Sequence, residues 1–284
     1  MLIHLSKAMK NNQVEHIVIQ KIGAGIMKEA EDQVAVEEPL EIQLAYSSAI
    51  GRMQKNIAVT MRTPGNDEEL AAGFLFTEGI IPNKAAIKEI KNSVADDNKV
   101  LVTLQEDILP ALNNADRNFY STSSCGICGK ASIDAIRTFS LYKNETDDIR
   151  INAGSLYGLQ DALRMQQDVF EHTGGIHACA LFSTEGKFML LREDVGRHNA
   201  LDKVIGNALL EAELPLNNCI LLLSGRASFE LLQKASMAGI KVVAAVGAPS
   251  SLAVELAKEA GITFIGFLRN DRFNIYSGKQ RIII

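Results

Sequence analysis

The amino-acid sequence predicts an α/β protein, with a parallel sheet in its C-terminal half and a smaller α+β unit in its N-terminal half. Two observations support this prediction. Between residues 219 and 267, apolar runs of strand length alternate with segments of helix length, which is typical of a parallel sheet with crossover helices. The chain has 284 residues, of which 47% are hydrophobic and 22% are charged, so it can form one or two packed domains.

The N-terminal domain is predicted to span residues 1–124. Residues 1–30 are weakly patterned and predict a loosely held lead-in with one strand, from His16 to Lys21. From residue 41 onwards the pattern becomes a mixture of strands and helices. It predicts a strand over 57–61, a turn at Thr63-Pro64-Gly65-Asn66, a helix over 67–77 capped by Asn66 or Asp67, and a strand over 99–105.

The C-terminal domain is predicted to span residues 130–284, and its elements are bounded more clearly. Two apolar runs flank Thr184-Glu185-Gly186 and predict a hairpin over 178–191. Gly239 and Gly261 follow helical segments, where glycine commonly ends a helix. The elements that follow the hairpin are a helix over 199–211, a strand over 219–223, a helix to 237, a strand over 241–246, a helix over 251–260 and a strand over 262–267.

Composition excludes several classes of protein. The formal net charge is −5, so we expect no nucleic-acid binding through a general basic field. No apolar stretch is long enough to cross a bilayer, and residues 1–9 lack the continuous apolar run of a signal peptide. Four unevenly spaced cysteines do not form the pattern of a secreted disulfide framework. We therefore expect a cytoplasmic protein without a membrane partner.

A pair of cysteines, Cys125 and Cys128, lies in the segment CGICG over 125–129, which we place in an exposed loop at the domain junction. A C-x-x-C pair can form half of a zinc site, a redox dithiol or a sulfur-accepting thiolate pair. The other cysteines, Cys179 and Cys219, are far away in sequence, which disfavours a four-ligand zinc site and predicts no metal. A helix predicted directly after the loop would favour the reactive thiolate through its N-terminal amides.

Three loops are candidates for binding anions, because each joins the end of a strand to the start of a helix. We expect their backbone N–H groups to be free and their small residues to allow a phosphate to approach closely. They do not match a P-loop or a G-x-G-x-x-G fingerprint, so the class of nucleotide stays open. The loops are Ser224-Gly225-Arg226, Gly247-Ala248-Pro249-Ser250-Ser251, and the segment from Glu193 to His198 that contains Arg197.

His177-Ala178-Cys179 has part of the pattern found in zinc nucleobase deaminases. In that H-x-E pattern the third residue is the glutamate that acts as general acid and base, and here it is Cys179. No Pro-Cys-x-x-Cys follows it in the sequence. The residues therefore argue against a deaminase, and a structural role for His177 and His198 stays open.

Seven motifs, which occur in the same order along the chain, resemble those of the FdhD family of formate dehydrogenase accessory sulfurtransferases. The resemblance covers residues from about 35 to 277. We find no motif of that family in the first thirty residues. The motifs are Met61-Arg62-Thr63-Pro64-Gly65, ELAAGFLFTEGI over 69–80, SCGICG over 124–129, GGIHAC over 174–179, REDVGRHNALDK over 192–203, Ser224-Gly225-Arg226, and GFLRNDRFNIY over 266–276.

The resemblance implies a specific activity. Members of this family accept sulfur from a cysteine desulfurase as a persulfide on the cysteine that matches Cys125. They pass it to the molybdenum or tungsten bis-molybdopterin guanine dinucleotide cofactor before that cofactor enters formate dehydrogenase. Cys128 could assist release of the sulfur by thiol exchange, or merely tune Cys125. A cofactor chaperone without sulfur transfer and a dithiol oxidoreductase remain the alternatives.

The resemblance also implies a fold and a ligand site. The C-terminal domain is expected to have the three-layer cytidine-deaminase-like fold without its zinc, and the protein to be a homodimer. GDP is expected to bind as a fragment of the cofactor, with the pyrophosphate groups at the amide- and arginine-bearing turns. The segment that the resemblance assigns to cofactor binding consists of Phe267, Leu268, Arg269, Asn270, Asp271 and Arg272.

Overall fold

The computed structural model describes residues 13–93, 96–112, 119–120, 142 and 148–284. Its first element is a two-stranded hairpin, formed by β1 (Val14–Gly23) and β2 (Ile26–Ala35). Ten residue pairs align in antiparallel register, from Val14 opposite Ala35 to Gly23 opposite Ile26. The sequence predicted only one strand here, within a loosely held segment, and therefore missed the second strand and the regular pairing.

A five-stranded sheet forms the rest of the N-terminal part, and its strand order is β5-β6-β3-β4-β7. Alternate side chains of β3, including Leu40, Ile42 and Leu44, are buried, as expected of a sheet with one packed face. The predicted strands over 57–61 and 99–105 correspond to β4 and β6. The strands are β3 (Glu38–Ser48), β4 (Gly51–Arg62), β5 (Ile87–Asn92), β6 (Lys99–Leu104) and β7 (Phe119–Tyr120).

Helix α1 (Asp67–Thr77) covers this sheet and has the predicted bounds. Asn66 occupies the cap position with φ of 56°, but its side chain makes no capping hydrogen bond. The carboxylate of Asp67 instead accepts two hydrogen bonds from the buried guanidinium of Arg62, at 3.0 and 2.9 Å. The predicted helix is thus confirmed, and an ion pair from the preceding strand holds its first turn.

The C-terminal part is built on a six-stranded sheet of order β10-β9-β11-β12-β13-β14. Strands β11, β12 and β13 are parallel, whereas β9, β10 and β14 pair in the antiparallel sense. The predicted hairpin and the predicted parallel strands are confirmed. The strands are β9 (His177–Ser183), β10 (Phe188–Asp194), β11 (Cys219–Leu223), β12 (Val242–Ala245), β13 (Thr263–Gly266) and β14 (Asn274–Ser277).

Helices cover both faces of this sheet, which gives a three-layer α/β arrangement. One face packs against α2 (Ala153–Tyr157) and α3 (Leu159–Arg164) through alternate strand residues such as Ala180 and Leu222. The next helix, α4 (Asp168–Thr173), contacts the β1–β2 hairpin. The other face packs against α5 (Arg197–Leu210), α6 (Phe229–Met237) and α7 (Ser251–Glu259) through residues such as Leu181 and Leu221. Helices α5, α6 and α7 were predicted from the sequence, whereas α2, α3 and α4 were not. A short parallel pair, β8 (Ile151–Asn152) with β15 (Ile282–Ile283), lies beside this part of the fold.

The two large sheets share one hydrophobic core, because α1 packs against α5. Two glycines allow their backbones to approach closely. A Cβ added to Gly73 would lie 1.9 Å from the carbonyl oxygen of Asp202, and a Cβ added to Gly206 would lie 1.8 Å from that of Glu69. In the described part of the chain, none of the helices has the length and apolarity to span a membrane.

Candidate functional site

The carboxyl ends of the parallel strands carry three loops, which we call the β11 loop (residues 224–228), the β12 loop (247–250) and the β13 loop (267–273). Backbone hydrogen bonds connect them: Ala227 donates to Ala248 O at 3.1 Å, and Ser250 donates to Ala227 O at 3.1 Å. Phe267 donates to Gly247 O at 3.1 Å. The structure therefore brings two of the predicted anion-binding turns and the predicted cofactor segment to one edge of the sheet, where α/β proteins bind ligands.

A glycine allows the β11 and β12 loops to lie in contact. A Cβ on Gly247 would come within 2.7 Å of the Arg226 nitrogen and 2.8 Å of the Gly225 carbonyl carbon. Among the described residues, no acceptor receives a hydrogen bond from the amides of Gly225 and Arg226. The Arg226 side chain is exposed beside them. Two adjacent amides and a guanidinium form a suitable site for a phosphate oxygen.

The β13 loop has an unusual backbone conformation. Phe267 adopts a φ of 53°, which is rare for a residue with a side chain, and the residue is 42% exposed. Leu268 is fully buried, and the Arg269 guanidinium donates to the carbonyl oxygens of Leu268 and Val246, at 2.7 Å each. Arg269 thus holds the loop in shape.

Three exposed polar residues complete the predicted cofactor segment. Asn270 Nδ2 donates to the Asp161 carboxylate of α3 at 2.7 Å, which ties the loop to that helix. Arg272 and Asp271 lie 3.9 Å apart with most of their side chains in solvent. Of the two arginines in the segment, Arg272 is therefore the one that is available to a ligand.

The loop between β10 and α5 lacks the free backbone amides that the sequence predicted at Val195 and Gly196. The amide of Gly196 donates to Asp194 Oδ1 at 2.8 Å, and the amide of Val195 donates to Thr63 Oγ1 at 3.2 Å. The prediction of free amides was wrong for these two residues, because a buried aspartate and the end of β4 already use them.

Two further predicted site residues, Arg197 and His198, come directly after Gly196 and lie near the β11 loop. Arg197 is half-buried, and the side chain of His198 is buried with its Nε2 atom 4.0 Å from the Glu230 carboxylate of α6. Helix α6 begins directly after the β11 loop. Arg197 and His198 are thus close to the site, with His198 beneath its surface.

A cavity of about 420 Å³ extends from the β11 loop to α3 and α4. Its wall contains Ser224 and Gly225 of the predicted site, together with His177. A Cβ on Gly225 would lie 3.4 Å from His177 Nδ1. Burial lowers the pKa of His177, and the nearby charge of Arg197 lowers it further. His177 is therefore a neutral hydrogen-bonding group at neutral pH.

The helical wall of this cavity was not predicted from the sequence. Gln160, Leu163, Arg164 and Gln167 belong to α3 and the turn after it. The signal was present in the sequence, since Leu156, Leu159 and Leu163 recur at helical spacing and are all buried. Helices of five or six residues are too short to be recognised from such a pattern.

The predicted nucleophile pair, Cys125 and Cys128, lies outside the described residues. The two described cysteines, Cys179 and Cys219, are 2% and 7% exposed. Burial raises the pKa of both thiols, and neighbouring carboxylates raise it further. Since the thiolate is the nucleophilic form, neither is suited to accept sulfur. Within the described ranges, no group of three or more His, Cys, Asp or Glu side chains is placed to hold a metal ion.

Residues 35–283 match the model of the FdhD/NarQ family. The sulfur carrier protein FdhD of Streptomyces coelicolor is 46% identical over 272 residues, which cover 93% of this chain and 94% of that protein. The protein of the same name from Sulfurisphaera tokodaii is 41% identical, over 95% of this chain and all of its own.

A third relative named sulfur carrier protein FdhD, from Mycolicibacterium paratuberculosis, is 49% identical over 88% of this chain and 92% of its own. Among solved structures, a protein of Desulfotalea psychrophila assigned as a formate dehydrogenase accessory protein superposes with a TM-score of 0.72. The match covers 95% of this chain and 100% of that one at 24% identity, which supports a shared fold.

Proposed function

Since the chain belongs to the FdhD/NarQ family, we propose that it is a sulfur carrier protein that acts as a sulfurtransferase in the maturation of formate dehydrogenase. The observation that carries this proposal is the similarity, over 88–95% of the chain, to relatives named sulfur carrier protein. In this proposal the protein works in the cytoplasm as a homodimer. Its partners are a cysteine desulfurase as sulfur donor and formate dehydrogenase as the final recipient.

The first step is an exchange of sulfur between two cysteines. The thiolate of Cys125 attacks the terminal sulfur of the persulfide on the desulfurase. The S–S bond of the donor breaks, the donor cysteine leaves as a thiolate, and Cys125 becomes the persulfide. The burial and raised thiol pKa of Cys179 and Cys219 support this choice, because they leave the C-x-x-C pair as the candidates for nucleophilic chemistry.

The acceptor in this proposal is the molybdenum bis-molybdopterin guanine dinucleotide, bound at the carboxyl edge of the C-terminal sheet. Two features support the binding of its pyrophosphate groups. The amides of Gly225 and Arg226 have no acceptor among the residues that the structure describes, and the guanidinium groups of Arg226 and Arg272 are exposed. Arg269 maintains the β13 loop, since its guanidinium is bonded to two backbone carbonyls. When bound, the cofactor supplies the metal that receives the sulfur.

Mass spectrometry of the intact protein tests the transfer of sulfur. After incubation with a cysteine desulfurase and cysteine, the protein should gain one sulfur atom, and peptide mapping should place it on Cys125. Formate dehydrogenase matured with Cys125→Ala should be inactive, whereas Cys128→Ala should have a milder or different effect.

The alternatives predict different results. A chaperone that binds the cofactor without transferring sulfur would tolerate Cys125→Ala and lose function with Arg272→Ala. A dithiol oxidoreductase would lose activity equally when either cysteine is replaced. An adduct on Cys179, or no adduct on any cysteine, contradicts the proposed transfer.

A further inference from the structure

The far end of the β1–β2 hairpin projects from the protein and has no role in the sulfur transfer or cofactor binding proposed above. Each strand has ten residues, so the hairpin extends roughly 30 Å. The hairpin contacts α4, and its nearer part contains the half-buried residues Ile17, Ile19 and Ala30. Every residue from 20 to 29 is exposed. The far end is therefore open to a partner.

We call residues 21–28 the hairpin tip, and most of it is apolar. Its central six residues, IGAGIM over 22–27, include no polar side chain. Ile22, Ile26 and Met27 are 64–69% exposed. Large apolar side chains that are exposed together usually mark a contact site.

Two lysines, Lys21 and Lys28, flank this apolar segment. They lie directly opposite each other in the antiparallel register, so both side chains are on the same face of the hairpin. Like charges in opposite positions repel each other, and a bound anion would remove that repulsion. Glu29 and Glu31 are on the other face, because successive pairs alternate between the two faces.

A tight turn closes the hairpin and keeps its backbone paired almost to the end. Ala24 and Gly25 have φ of 51° and 80°, and positive φ at both central residues is typical of a type I′ turn. The register continues to Gly23 opposite Ile26, the pair next to the turn. A backbone that is paired in this way enters an apolar medium at less cost than an open loop does.

The size of the hairpin tip fits a lipid surface better than a protein surface. Beyond the lysines, the hairpin extends by two residue pairs and the turn, which is roughly 10 Å. Elements that lie on a membrane bury their apolar side chains to about 5–10 Å and keep basic residues near the headgroups. A stable protein interface takes about 20–30 residues from each partner, whereas the hairpin tip has eight.

We propose that the hairpin tip binds an anionic lipid surface. Ile22, Ile26 and Met27 insert among the acyl chains, and Lys21 and Lys28 contact the phosphate groups of the lipids. The lysines make the tip cationic, although the whole chain has a formal net charge of −5. The lack of a spanning segment in the sequence led us to expect no membrane partner, but a tip that enters only one leaflet does not need such a segment.

Co-sedimentation of the full chain with vesicles tests this proposal. We expect binding to vesicles made of equal parts of phosphatidylcholine and phosphatidylglycerol, and much weaker binding to phosphatidylcholine alone. Ile26→Ser should weaken the binding about tenfold or more, because it removes one inserted apolar side chain. The matched control is Ile50→Ser, at an exposed isoleucine in the turn between β3 and β4, which should bind like the unmodified protein.

The contribution of the lysines is measured with the same vesicles. Lys21→Gln and Lys28→Gln should each weaken binding about fivefold, and the difference should shrink as the salt concentration rises. Lys258→Gln, at an exposed lysine of α7, should have no such effect. The proposal is overturned if the anionic vesicles do not bind the protein, or if Ile26→Ser and both lysine variants of the tip bind them unchanged.

A fluorescent reporter distinguishes lipid from a second copy of the chain. The sequence contains no tryptophan, so Met27→Trp adds a single one at the hairpin tip. Its emission should move to shorter wavelength when anionic vesicles are added, and brominated lipid should quench it, whereas Ile50→Trp should not respond. A shift that grows with protein concentration in the absence of vesicles would assign the tip to contact with a second copy and would overturn the proposal.

Discussion

His177, at the start of β9, connects the cavity with the charged groups near it. Burial lowers its pKa, the positive charge of Arg197 acts in the same direction, and the carboxylate of Asp194 opposes them. Because the folded state disfavours the imidazolium, its pKa in the folded protein lies below that in the unfolded chain. The neutral ring therefore contributes stability that is present above the unfolded pKa of about 6.5 and is lost as the pH falls through the folded pKa.

The lowered pKa of His177 gives a prediction for the variant His177→Gln. Between about pH 7.5 and about pH 5, the unmodified protein should lose stability more steeply than the variant, which has no imidazole to protonate at this position. Urea denaturation at a series of pH values measures the difference. His16→Gln, on the exposed hairpin, controls for the removal of an imidazole. Parallel pH profiles for His177→Gln and the unmodified protein would contradict the assigned direction.

At the scale of elements, a buried ion pair joins Asp194 of β10 to Lys203 of α5 and also contacts Thr63, directly after β4. Lys203 Nζ lies 2.7 Å from Asp194 Oδ2, and both side chains are fully buried. The same ammonium donates to the Thr63 carbonyl oxygen at 2.8 Å, and Asn199 Nδ2 donates to Asp194 Oδ1 at 3.1 Å. The motifs MRTPG and REDVGRHNALDK therefore meet in one polar cluster, which explains much of their residue composition.

Removing one partner of this pair should destabilise the protein strongly. Asp194→Asn leaves the Lys203 ammonium buried without its counter-charge, which typically costs roughly 3–5 kcal/mol. The free energy of unfolding in urea checks this value. Lys88→Met is the control: its pair with Glu106, at 3.6 Å, has side chains 53% and 85% exposed, and such pairs contribute about 1 kcal/mol or less. A comparable loss of unfolding free energy in both variants would contradict the claim that burial makes the Asp194–Lys203 pair costly to break.

The sequence predicted those elements whose pattern is local and long enough. Strand β11 and helix α1 were predicted with their observed bounds, because one is a continuous apolar run and the other follows a turn. The hairpin strand β2 was missed because its side chains are mostly exposed and its apolar residues do not alternate with polar ones.

The candidate site was predictable only in part, for a similar reason. The loops after β11 and β13, which carry Ser224 and Phe267, are visible as local motifs, whereas their neighbours come from distant parts of the chain. The use of the Val195 amide by Thr63 joins residues more than a hundred positions apart, and no local pattern reports it. The cavity wall on α3 was not predicted because that helix has only six residues, too few for its apolar spacing to mark a helix.

At the scale of the whole molecule, the crossing of α1 and α5 makes the two sheets one hydrophobic unit. The polypeptide backbones touch at Gly73 and Gly206, and the surrounding core contains side chains from both sheets. A second contact lies beside the crossing, where the buried Lys234 ammonium is 2.9 Å from Asp202 of α5 and 3.3 Å from Glu78 after α1. Although burial by itself lowers the pKa of Lys234, the two carboxylates raise it overall, so the ammonium stays charged.

This shared core predicts that the two sheets unfold together and that one added methyl group at the crossing weakens both. Gly73→Ala would place a Cβ 1.9 Å from the Asp202 carbonyl oxygen, which forces the helices apart and should cost about 3 kcal/mol or more. Gly158→Ala, where a Cβ meets nothing within 4 Å, should change stability by about 0.5 kcal/mol. Thermal unfolding followed by calorimetry should show one transition that moves down in Gly73→Ala. Two separate transitions, with only one of them shifted, would mean that the sheets are independent units and that the α1–α5 contact does not couple them.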